Sequence, residues 1–66
     1  MPRDISVIHH GSVVEFSIRS GEARDWVREH VHIEDWQWIG RDSFAVDHRL
    51  AYGLIEGMQD AGLEVG

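Results

Sequence analysis

Five histidines, His9, His10, His30, His32 and His48, have the most obvious capacity for chemistry in this 66-residue chain, because neutral imidazole is the commonest zinc ligand and titrates near neutral pH. Their spacing works against a shared ion. On one helix, at about 3.6 residues per turn, His30 and His32 point about 200° apart and can grip a single metal only if the helix ends between them. His30 also falls on an apolar stripe, which predicts a hydrogen-bonded core histidine, and His9-His10 reads as part of a turn. Paired cysteines and an HExxH pattern are both missing, so the expectation is no metal and no cofactor, with a His-based metal-binding protein kept as an alternative.

Acid–base catalysis needs groups that converge in a pocket. The one suggestive cluster is Asp47-His48-Arg49, where Asp47 reads as a helix cap whose two neighbours point elsewhere. No Gly-rich phosphate loop, nucleophile elbow or dinucleotide fingerprint occurs, and the expected protein is not an enzyme.

Carboxylates offer a different chemistry. On the first predicted helix Glu22, Asp25 and Glu29 fall within a narrow outer arc, about 5–6 Å apart along the axis at a rise of about 1.5 Å per residue. Arg24 and Arg28 occupy a neighbouring stripe, from which helical i,i+4 pairs would neutralise part of the charge. Glu34 and Asp35 follow directly, and Glu56 and Asp60 repeat the theme on the second helix. Like charges at this spacing cost a few tenths of a kcal/mol per pair, so the clustering is unfavourable unless a partner neutralises it.

Two further features bear on partners. Gly53 and Gly57, inside the second helix, each cost about 1 kcal/mol relative to alanine and would admit close approach by the chain's own sheet or by a second chain. Of the three tryptophans, Trp26 reads as core, whereas Trp36 and Trp38 share a predicted strand face and read as core or as partner-binding anchors.

These residues must be positioned by elements that the periodicity makes legible. Ile5 to Ile8 and the alternating Val14, Phe16 and Ile18 predict a hairpin around a turn at His9-His10-Gly11-Ser12. Ser20 caps a helix over about 21–31, whose inner face carries Ala23, Trp26, Val27, His30 and Val31. A second hairpin runs through Trp36, Trp38, Gly40 and Phe44 to Val46. Asp47 then caps a helix over about 48–61, with Leu50, Ala51, Leu54, Ile55, Met58 and Ala61 as its stripe. Gly62 ends it, with Leu63 folding back on Met58, after which Leu63-Glu64-Val65 either adds a short strand or frays. The predicted order is ββαββα: one α+β domain over residues 1–66, a four-stranded, mostly antiparallel sheet with both helices on one face.

Composition bounds the function. Hydrophobic residues make up 42% and charged residues 27%, a globular balance. A chain this short buries only about 60% of its unfolded surface, so self-association would help it. No apolar run reaches the roughly 20 residues of a membrane span and cysteine is absent, which together predict a cytoplasmic protein without a membrane partner. Twelve acidic residues against six basic ones, all arginine, leave a formal charge of −6. That sign disfavours direct nucleic-acid binding and suits a basic partner.

From about Gly11 onward the chain resembles a loose group of short, largely uncharacterised proteins of phages and bacteria. The resembling residues are Ala23-Arg24-Asp25-Trp26-Val27, Gln37-Trp38-Ile39-Gly40, Ala45-Val46-Asp47-His48-Arg49, Glu56-Gly57-Met58 and Ala61-Gly62-Leu63. In size and acidity it is similar to phage-encoded inhibitors, including anti-CRISPR proteins, several of which offer carboxylates where a nucleic acid would bind. The leading expectation is therefore a non-enzymatic inhibitor of a host protein with a basic surface, contacted by Glu22, Asp25 and Glu29 with Glu34, Asp35, Glu56, Asp60 and the two tryptophans Trp36 and Trp38. A self-associating domain, joined through Gly53 and Gly57 or an open sheet edge, is the second expectation.

Overall fold

Alternation at Val14, Phe16 and Ile18 gives one strand a buried face and a solvated face, and the first hairpin follows from it. In the computed structural model, which describes residues 3–66, β1 (Ile5–His10) pairs antiparallel with β2 (Val13–Ile18). Between them Gly11 has φ +74° while Ser12 does not leave negative φ, the pattern of a two-residue turn with glycine first. His9 and His10 therefore belong to the strand, not to the turn that the dipeptide suggested.

Ser20 caps α1 (Gly21–His30), its hydroxyl accepting from the Ala23 amide. A 3₁₀ turn (Asp35–Gln37) then leads into β3, which is only Trp38–Ile39. Beyond Gly40 come β4 (Ser43–Asp47) and α2 (His48–Asp60). The strand order is β1-β2-β4-β3, all neighbours antiparallel, so the ββαββα, α+β architecture is as predicted.

Register decides which side chains meet. Phe16 lies opposite Phe44, Val14 opposite Val46, and Val7 and Trp38 flank the two phenylalanines. The Phe16 and Phe44 rings stack with centroids 5.2 Å apart. Ala23, Val27, Ala51 and Met58 cover this face from the helices in one core cluster, so both helices lie on the same side. The opposite face, carrying Ile8, Val13, Glu15, Ala45 and Ile39, has no helix over it among the described residues.

The chain's last residues complete the outer edge. Gly62, at φ +87°, ends α2; the Leu63 amide donates to Met58 and the Gly62 amide to Gln59, both at 3.0 Å, as in a Schellman cap. Leu63 is buried beside Met58. Val65 then bridges in parallel to Ile5, and the Val7 amide donates to Gly66, so the tail is paired and not frayed.

Candidate functional site

Trp26 orients the acidic groups. Its ring lies on Gly57, where an added Cβ would come within 3.1 Å of it, so the Trp26 flank of α1 is the one that faces α2. Glu22 and Glu29 stand one turn before and one turn after Trp26 on that flank, with Asp25 just outside them; on α2, Asp60 stands one turn beyond Gly57, with Glu56 just outside. The five carboxylates therefore border the outer seam between the two helices, and all five residues are exposed.

Their neutralisation is slight. Among the described residues Glu22, Asp25, Glu56 and Asp60 make no ion pair, and Glu29 meets only the His30 imidazole, at 3.9 Å. The expected i,i+4 pairing from Arg24 and Arg28 does not form. Arg24 reaches instead to Asp42 in the β3–β4 turn, because the turn carboxylate lies beside α1 and leaves the ridge bare. Carboxylates off the helices are better partnered: Glu15 meets His10 at 3.0 Å, and Asp47 takes the Arg49 guanidinium at 3.1 Å. The Arg49 side-chain hydrogen bond, then its amide, holds the Asp47 carboxyl below its ordinary value of 3.8.

Glu34 and Asp35 lie apart from the seam, in the exposed segment after α1. Glu34 is engaged by His32 at 2.9 Å, and Asp35 opens the 3₁₀ turn. Gln37 locks that turn, its carbonyl accepting from the Glu34 amide at 2.9 Å and its amide donating to the Ala45 carbonyl at 3.2 Å.

This clip separates the two tryptophans that sequence spacing had placed on one face. Trp38 is half-buried and meets Phe44 edge-on at 5.8 Å, so it is spent inside the fold and is not a free anchor. Trp36, in the 3₁₀ turn, is 81% exposed and borders a hollow on the uncovered sheet face. It is neither core nor next to the acidic seam. No spacing argument distinguishes the pair, since the 3₁₀ turn depends on the Gln37 clip.

The histidines do not converge on an ion. Among the described residues no three His, Cys, Asp or Glu side chains are placed to share a metal. The helix does end between His30 and His32, and both border a hollow of about 550 Å³ with Glu34, Leu50, Gly53 and Leu54. His30 is exposed, its ring against Trp26 at a centroid distance of 5.0 Å, where the stripe had predicted a core histidine; α1 ends there, beyond the sheet's cover. His48 lies 3.9 Å from Asp47 at the start of α2, in the open.

The two glycines also part company. Gly57 makes room for this chain's own Trp26, a close approach within the chain, while an added Cβ at Gly53 would meet no heavy atom within 4 Å. No helix is long and apolar enough among the described residues to cross a membrane. No family model, curated protein or solved structure matches the chain.

Proposed function

We propose that the chain is a non-enzymatic, cytoplasmic interaction module whose helical layer docks on a basic, nucleic-acid-binding surface of a partner protein, as an inhibitor of the anti-CRISPR kind would. The observation that carries the reading is the bare ridge: Glu22, Asp25, Glu29, Glu56 and Asp60 are exposed on the two helices that meet at Trp26 and Gly57, and among the described residues none of them pairs with an arginine, Arg24 being committed to Asp42. Each unneutralised carboxylate destabilises the free protein slightly and is relieved when a guanidinium or ammonium arrives. The axial spacing of Glu22, Asp25 and Glu29, about 5–6 Å, lets several cations engage at once, and the summed field speeds encounter more than it sets final affinity.

The test is capture from the native host on immobilised protein, wild type beside an Asp25→Lys, Glu29→Lys variant. Wild type should retain a basic protein that leaves the column as salt rises, and the captured protein should lose its nucleic-acid binding when the chain is added. Equal retention by the charge-reversed variant would reject the reading.

A further inference from the structure

The face of the sheet that no helix covers carries or borders four of the six exposed large hydrophobic side chains among the described residues. Ile8 is 44% exposed, Val13 38%, Ile39 50% and Trp36 81%, and register places the first three on the same side of the sheet. Beside Trp36 lies a hollow of about 400 Å³ lined by Val13, Gln37, Ile39 and Ala45. We propose that this face is a homodimer interface, in which Trp36 of each copy enters the hollow of the other.

Three observations select a second copy as the occupant. The first is charge: at this face Glu15 meets His10, Asp47 meets Arg49 and the Arg19 guanidinium, which donates to Ser6, adds a cation, whereas the bare carboxylates lie on the helices on the far side. A chain of charge −6 meets its own copy with least repulsion across the face that lies farthest from the bare carboxylates. Sheets packed about 10 Å apart, each backed by a helical layer of about 10 Å, hold the two acidic seams well beyond the screening length of about 8 Å. Shape is the second, since a projecting ring and a hollow side by side on one chain satisfy the two-fold rule that the same patch serves both partners.

The third is area. The molecule measures 27 × 20 × 20 Å, so a full face-to-face contact buries on the order of 1,000 Å² in total, the low end for specific interfaces. Edge-to-edge pairing is less open: the tail occupies part of the outer edge of β1 and β3 has only two residues. A core this small also gains most from a second layer.

Sedimentation velocity on the full chain from about 1 to about 300 µM should show a monomer–dimer equilibrium with Kd of about 10 µM. Trp36→Ala and Ile39→Asp, both at exposed positions, should keep the far-UV spectrum and weaken association by at least about 30-fold. Asp25→Lys with Glu29→Lys and, separately, Gly53→Leu should leave the dimer intact, which keeps this proposal distinct from the acidic seam and from a glycine-mediated contact. In a mixed-label sample, Trp36 indole protons should show intermolecular NOEs to Val13 and Ile39. A monomer at the highest concentration overturns the proposal, and so does a dimer that survives Trp36→Ala and Ile39→Asp.

Discussion

A methyl group added at Gly57 would land 3.1 Å from Trp26 Cζ2 and 3.3 Å from Cη2, whereas one added at Gly53 meets no heavy atom within 4 Å. The two substitutions should therefore diverge. Gly53→Ala gains helix propensity of about 1 kcal/mol with nothing to oppose it and should raise Tm by about 4–8 °C. Gly57→Val pushes a branched side chain into the indole and should cost about 1–3 kcal/mol; thermal melts of both variants check the contrast. The Glu64 amide, with help from the Ser20 hydroxyl, holds Asp4 below its ordinary 3.8, as Arg49 does Asp47. The folded chain then binds fewer protons than the unfolded one, so this stabilisation is complete above the unfolded value and is lost as pH falls through the folded value. Melts from about pH 5 down to about pH 2 should show Tm falling, and Asp4→Asn with Asp47→Asn should flatten the fall.

Among the elements, α1 at ten residues is too short to be helical by propensity alone. It depends on the Ser20 cap, at 3.1 Å to the Ala23 amide, and on burying Ala23 and Val27. Ser20→Ala should cost about 1 kcal/mol. The other end of the chain carries more. Leu63 closes the α2 cap, packs buried beside Met58 and starts the tail that pairs with β1, so Leu63→Ala should cost about 2–4 kcal/mol. Urea denaturation of the two variants should rank them in that order. If Leu63→Ala were the milder of the two, the tail would contribute little to the fold.

Across the whole molecule, charge is sorted by layer. Among the described residues the helical side holds unpaired carboxylates, the open sheet side holds apolar groups with Glu15 beside His10, Asp47 beside Arg49 and Arg19 on Ser6, and the core separates them. The folded state therefore carries its own repulsion along the seam, and added salt should stabilise it by screening. Asp25→Asn with Glu29→Gln should raise Tm at low salt and shrink the gain from about 0.5 M salt. A wild-type Tm that does not rise with salt would mean that the seam is neutralised within the chain. The core is arranged about an approximate two-fold axis between Phe16 and Phe44: Val7 and Trp38 flank the phenylalanines, and Ala23 and Ala51 cover them. The halves differ where function is proposed, since only the second carries the 3₁₀ turn that exposes Trp36.

Local chemistry was enough to specify the element order, both helix caps, the Gly62 stop and the exposure of Glu22, Asp25 and Glu29, because each depends on residues within a turn or two of one another. Tertiary structure alone decided the rest. Which flank of α1 met α2 rested on Trp26 finding Gly57, and Arg24 left its helix neighbours because Asp42 came close from a turn far along the chain. The fates of Trp36 and Trp38 were set by one amide, Gln37, reaching a carbonyl on β4. Such choices depend on groups distant in sequence, and a period of two or 3.6 residues carries no information about them.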